Sequence, residues 1–465
     1  MQINERVTLL NRAEANKRGR YVLYWMQVFK RAAHNHALNY AVELANDLGL
    51  PLVVYEGLKY YYPWANGRLH TFILEGVNEK RAVLASKGIR YLFYLQRDER
   101  APRDTVERLA RDAAALVTDD FPCFIVPEHN QIIAARVEIP VFAVDANGLI
   151  PLSKFTKEEF AARTIRPKIN RMLPEYVNFT PDPQLKLPQP EIELNCPEET
   201  VFADADIPAL VASCAIDHSV PPSPLYHGGT ANGRKRLQHF ADNLLRGYHE
   251  TRNEPSVDGS SRLSPYLHFG FLAPQEIYQA VQAAVAPMEA KAAFLEEVIV
   301  RRELSYNMTR FNPHYDSLAA LPNWAWKTMR EHADDERQVY TVEQIERAAT
   351  HDEMWNATQR ELVHTGLLHN YVRMLWGKKI MEWRPTYEAS FDLMVHLNNK
   401  YALDGRNPNS YTGILWCFGK HDRAWGPQRP VFGTLRYMSS INMARKINAK
   451  KYIAWTNELE TANQS

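Results

Sequence analysis

The chain has 465 residues, more than one ordinary core accommodates, so two or three domains are expected. Apolar residues make up 45% of it and charged residues 23%, which excludes disorder along most of the length. The 55 basic and 54 acidic residues leave a net charge of +1, which excludes coating of nucleic acid by bulk charge, so any such contact must come from a local patch.

The first part alternates short apolar runs with helical patterns. RYVLYWM (20–26) reads as a buried strand, followed by a helix through LNYAVELANDLG that ends at Gly49 as its C-cap. PLVVYE (51–56) is the next strand, LHTFILEGVNEKRAVLASKG (69–88) a single helix and IRYLFYL (89–95) a strand. DTVERLARDAA is a helix, ALVTDD (115–120) a strand, and IPVFAVDA (139–146) one more. This alternation predicts an α/β, Rossmann-like N-terminal domain over 1–175, with a parallel sheet covered by helices on both faces. Neither a GxGxxG after the first strand nor a P-loop is present, so the phosphate fingerprint of a dinucleotide domain is missing.

Residues 176–230 are rich in proline and acidic residues and read as a long connection wrapped on the surface. From 231 to 465 helical patterns dominate, which predicts an all-α C-terminal domain; eight of the ten tryptophans lie there, from Trp324 onward. The cysteines Cys123, Cys196, Cys214 and Cys417 are scattered without a CxxC, so neither a metal site nor a disulfide framework is expected. That usage fits a reducing, cytoplasmic setting. The N-terminus lacks the apolar segment of a secretory signal, and no run of about 18 apolar residues predicts a membrane span.

SSRLSPYLHFGFLAPQEI (260–277) is the most specific string. A serine-rich turn leads into a helix whose first turn offers unpaired N–H groups, an end suited to a pyrophosphate; on these residues alone the signal is weak, because Ser-Pro helix starts are common and mostly structural. Further strings follow in order: ETRNEPS (250–256), FLEEVIVRRELSYN (294–307), THDEMWNATQ (350–359), DGRNPNSYTGILW (404–416), HDRAWG (421–426) and RYMSS (436–440), with RPKINRMLPEYV (166–177) ahead of them. Together they resemble the class II cyclobutane pyrimidine dimer photolyases of the photolyase/cryptochrome family, through nearly all of the helical region.

The resemblance implies a monomeric light-driven lyase that holds FAD in its helical domain. Its partner is double-stranded DNA containing pyrimidine dimers, repaired by electron transfer from reduced FAD to a flipped-out dimer. Glu297 matches the carboxyl group that hydrogen-bonds a dimer carbonyl, and Asn398 the residue beside flavin N5. Arg373 and Asp404 match an ion pair beside the isoalloxazine. Tyr248, Ser260, Ser261, Arg262, Leu263, Ser264 and Gly405 match the remaining cofactor-binding positions. Trp355, Trp376 and Trp383 match a tryptophan relay that reduces the flavin. Trp376 and Trp383, seven residues apart on one helix face, fit a helix–helix seam equally well. Trp416 matches the residue that stacks on the dimer, and Arg252, Arg301, Arg423 and Arg436 match phosphate or dimer contacts. On residue type alone Glu297 is also an exposed helix carboxylate beside an arginine, and the arginines also form a solvated basic face.

Some strings depart from the class II pattern. YWMQVFKRAAHN stands where YWMxRDxR is usual, which leaves a second, antenna chromophore of deazaflavin type an open expectation. LNNKY places Asn399 where aspartate is common, and LLHNY stands in place of MHGY. A cryptochrome-like photoreceptor that keeps flavin and tryptophans without repair is the alternative reading.

Overall fold

Apolar runs bounded by turn residues become the strands of one sheet. The structure, a computed structural model, describes residues 4–464 except 178, 180, 195 and 197. The strands are β1 (Val7–Leu9), β2 (Tyr21–Trp25), β3 (Leu52–Leu58), β4 (Arg90–Leu95), β5 (Ala113–Asp119) and β6 (Val141–Val144), in spatial order β1-β6-β5-β2-β3-β4. Strands β2 to β6 pair parallel, and β1 runs antiparallel on the β6 edge. The five strands expected from sequence are all present. β1 is not among them: it has three residues, only one of them buried, too short to carry a pattern.

Helix 36–48 begins where the Asn35 side chain accepts the N–H groups of Ala37 and Leu38, at 3.0 and 3.3 Å, and ends at Gly49 as expected. The single helix expected over 69–88 is instead two, Gly67–Leu74 and Val77–Ser86. The break falls at Gly76, where a Cβ would sit 2.4 Å from the Phe271 ring, so the chain turns where the helical half packs closest.

The connection after residue 176 is pinned along the first domain. Thr200 N–H donates to the Phe93 carbonyl at 2.7 Å, Glu199 pairs with Arg81 and Arg90, and Glu198 with Arg108. Further on, Arg68 Nε donates to the Pro221 carbonyl at 3.0 Å, and Ser223 Oγ to that of Thr365 at 2.6 Å.

The rest is helical. Helices Met288–Leu295 and Arg302–Phe311 are joined by a π-helical turn, Glu296–Arg301. Helices Glu353–Thr365, Asn370–Trp383 and Tyr387–Tyr401 follow, then Pro408–Cys417 and Ala449–Gln464. One core joins Leu69, Phe72 and Ile73 of the first domain to Tyr266, Phe269 and Phe271 of the second. Another, containing Trp355, Trp376 and Trp383, lies mainly within the helical half. Arg68 locks the halves together: fully buried, it donates to the carbonyls of Tyr401 at 2.9 Å and Val363 at 2.7 Å.

Candidate active site

Two helices and one loop assemble the first cluster. Arg373, on helix 370–383, reaches Asp404, just past helix 387–401, at 3.3 Å, and also donates to Asn398 Oδ1 at 3.4 Å. Asn398 is almost fully buried near the end of that helix. Gly405 lets the loop close on this helix: a Cβ would stand 2.8 Å from the Asn398 carbonyl oxygen. The neighbouring Asn399 accepts the Arg406 N–H at 2.8 Å, but its own Nδ2 is buried without a hydrogen-bond partner among the described residues.

Beside this cluster lie groups that the sequence did not single out. His369 Nδ1 accepts the Tyr371 N–H at 3.2 Å, which puts the ring proton on Nε2, and that N–H is buried without a partner among the described residues. Burial, with Arg262 and Arg373 nearby, pushes His369 down to about 4, so the ring is neutral. Glu361 is buried and accepts the Tyr452 hydroxyl at 2.5 Å; burial raises it to about 7 against the pull of Tyr452 and Arg262. Only the departure at LLHNY pointed near His369, and nothing local marked Glu361, whose partner is on the C-terminal helix.

The 258–264 turn is held from behind by Arg236, which donates to the carbonyls of Ser261 at 2.8 Å and Ser260 at 2.7 Å and pairs with Asp258. Arg262 has φ 53°, contacts Asp258 at 3.1 Å and donates to the Tyr226 hydroxyl at 2.8 Å. Ser264 opens the short helix Ser264–His268 and is exposed, whereas the Leu263 side chain lies in the core, leaving only its backbone to face a ligand. Tyr248 is buried against Phe240 and Phe294.

A second cluster surrounds the π-helical turn. Glu297 meets Arg252 at 3.5 Å, and Arg252 lies 6.0 Å over the Tyr248 ring. Burial raises the Glu297 pKa above the usual carboxylate range although Arg301 and Arg252 pull it down. Arg301 lies 5.5 Å over the partly exposed Trp416 ring, whose other neighbour is His421 at 5.8 Å. Exposed Arg423 and Arg436 both lie over Trp425, at 4.5 and 5.1 Å. Segment 250–256 joins the two clusters, carrying Arg252 at Glu297 and Glu254 within electrostatic reach of His369.

The three tryptophans come together. Trp355 Nε1 donates to the Trp376 carbonyl at 3.0 Å, and the Trp355 ring meets that of Trp383 edge-on at 5.0 Å. All three are buried. Trp376 and Trp383 share helix 370–383, with Trp355 on the adjacent helix contacting both.

A separate cavity of about 580 Å³ opens at the C-terminal ends of β2 and β3, where ligands bind in open parallel sheets. Trp25, Gln27, Tyr62 and His129 line it, with His268 and Arg406 of the helical half.

A DNA photolyase family model matches residues 22–191. A deoxyribodipyrimidine photo-lyase of Methanothermobacter thermautotrophicus is 39% identical over 451 residues, covering 97% of this chain and 97% of its own. This chain belongs to the DNA photolyase family. The deoxyribodipyrimidine photo-lyase of Arabidopsis thaliana is 36% identical over 452 residues, covering 94% of this chain and 89% of that one. The fold agrees with that of a solved archaeal photolyase from Sulfolobus tokodaii, described with two FAD molecules: TM-score 0.66 at 17% identity, over 93% of this chain and 89% of that one. Photolyase membership implies a flavin chromophore, and the site fits one. Buried N–H donors at His369 and Asn399 lack hydrogen-bond partners among the described residues, and Arg262, within the 258–264 turn, carries positive charge of the kind a pyrophosphate needs.

Proposed function

We propose that this chain repairs cyclobutane pyrimidine dimers in double-stranded DNA, as a class II photolyase. The observation that carries the reading is the pair of clusters joined by segment 250–256: Arg373, Asp404 and Asn398 on one side, Glu297, Arg252 and Tyr248 on the other. FAD, when bound, supplies the light absorption and the electron that dimer splitting requires. Arg373 and Asp404 hold the isoalloxazine, and the Asn398 amide serves N5. Arg262, the serines of 260–264 and the Leu263 backbone take the phosphates, with Tyr248 and Gly405 completing the pocket. Trp355, Trp376 and Trp383 carry electrons through the protein to reduce the flavin.

On the DNA side, the Glu297 carboxyl group, whose pKa burial raises, donates in its protonated form a hydrogen bond to a dimer carbonyl as negative charge builds there. Trp416 stacks on the flipped dimer, while Arg252, Arg301, Arg423 and Arg436 engage phosphates or dimer oxygens. The cavity above β2 and β3 takes a planar antenna chromophore of deazaflavin type. An absorption spectrum of the purified protein tests the cofactor assignment. About one flavin per chain is expected, released on denaturation as FAD rather than FMN because the 258–264 turn suits a pyrophosphate. A colourless protein that FAD does not reconstitute would remove the basis of the reading.

A further inference from the structure

Glu296 and Glu297 are neighbours in the π-helical turn, yet they serve different partners. Glu297 meets Arg252, whereas Glu296 accepts from Arg166 Nε at 3.0 Å and Nη2 at 2.6 Å, and from Arg301 Nε at 3.2 Å. Arg166 belongs to helix Ala162–Tyr176, and Arg301 is the residue poised over Trp416. We propose that Glu296 is a positioning residue: it holds Arg301 over the Trp416 ring and ties that stacking wall to Arg166 before DNA arrives. The inference rests on the reading of Trp416 as the wall against which the dimer stacks.

Three observations support it. Burial alone would raise the pKa of Glu296, but the bonds from Arg166 and Arg301 outweigh it and hold the carboxyl below its ordinary value, so it stays ionised. Both arginine side chains are 38% exposed; without the carboxylate between them they repel each other and have open solvent to move into. The Arg301 Nη groups have no hydrogen-bond partner among the described residues, so Glu296 fixes the side chain through Nε and leaves its outer donors for a ligand. The wall is braced from its other side as well: His421, packed on Trp416, donates from Nδ1 to the Phe160 carbonyl at 2.7 Å, in the segment that leads into the Arg166 helix.

The sign of one effect separates positioning from bulk charge. Glu296→Gln removes a negative charge from a DNA-facing surface, so on bulk electrostatics it tightens binding to all DNA. As a positioning residue, its loss instead weakens binding to dimer-containing duplex, by roughly five- to tenfold, the worth of one oriented cation–π contact with its hydrogen bond. Binding to undamaged duplex is expected to change less than twofold, and Glu296→Asp to recover part of the loss. The assay measures both affinities with the FAD-loaded full chain, with flavin absorption as the check on folding, for Glu296→Gln, Trp416→Phe and the double variant. Loss of dimer preference in Glu296→Gln, with no further loss when it is added to Trp416→Phe, supports the inference. Tighter or unchanged dimer binding in Glu296→Gln, with Trp416→Phe impaired, overturns it. A Trp416→Phe variant with the parent's dimer preference overturns instead the stacking role on which it rests. Should Glu296→Gln lose flavin, Arg166→Gln serves in its place and must show the same dimer-specific loss.

Discussion

At Glu297 two opposing influences meet: burial raises its pKa, Arg301 and Arg252 lower it, and burial prevails. Only the protonated carboxyl can donate to a dimer carbonyl, so the repair yield per absorbed photon is expected to fall as pH rises through that raised pKa. Glu297→Gln, a donor at every pH, should flatten the profile. Glu297→Ala should lower the yield roughly three- to tenfold with the flavin spectrum intact, less than the full cost of an oxyanion donor because the charged species is short-lived. A Gln variant that keeps the parent's pH slope would place the titrating proton elsewhere. Glu361 titrates with consequences for folding. Its folded-state pKa of about 7 exceeds the unfolded value, so its contribution is complete below about pH 4 and lost as pH rises through about 7. Glu361→Gln, neutral throughout, should therefore be more stable than the parent at pH 8, by on the order of 3 kcal/mol, with the difference shrinking toward pH 5. Denaturant unfolding at the two pH values checks this. Glu297 was legible because it lies inside a long motif. Glu361 was not, because its importance comes from burial and from Tyr452, which is 91 residues away in the chain.

At the level of elements, the tryptophans show what periodicity can and cannot convey. Their spacing predicted one shared face for Trp376 and Trp383, and they do share helix 370–383. That Trp355 stands between them, donating to one and edge-on to the other, depends on how two helices pack. Trp376→Phe and Trp383→Phe should each slow light-driven reduction of oxidised flavin, measured as bleaching under illumination with an external reductant. Repair by chemically pre-reduced protein should stay near the parent's level. Unchanged photoreduction in both variants would leave the three rings as core packing. The π-helical turn at 296–301 escaped sequence reading because one extra residue in a turn shifts the register without interrupting the apolar pattern. Yet that turn sends Glu296 and Glu297 to different arginines. The break at Gly76 carried a visible glycine, but only the closeness of Phe271 makes it a break rather than a tolerated helix residue.

For the whole molecule, strand–helix alternation was enough to predict the parallel sheet, because buried strands read as continuous apolar runs. The seam between the halves was not legible. It depends on Arg68 donating to helix-end carbonyls more than 290 residues away, and on Arg31 reaching the Gly270 carbonyl at 3.2 Å. Long-range bonds from buried arginines leave no local signature. The helix that carries Arg166 is held against the turn that carries Glu296 by their shared apolar cluster and by the Arg166–Glu296 pair. Whether this assembly uses light to split pyrimidine dimers is decided by a repair assay. The reduced, FAD-loaded protein is mixed with an oligonucleotide duplex bearing a single thymine dimer, and intact thymines are quantified in the dark and under blue or near-UV light. Thymines are expected to be restored only in the light, over many turnovers, with no net consumption of reductant. A protein that binds FAD and the damaged duplex yet restores no thymine under illumination would contradict the proposed function.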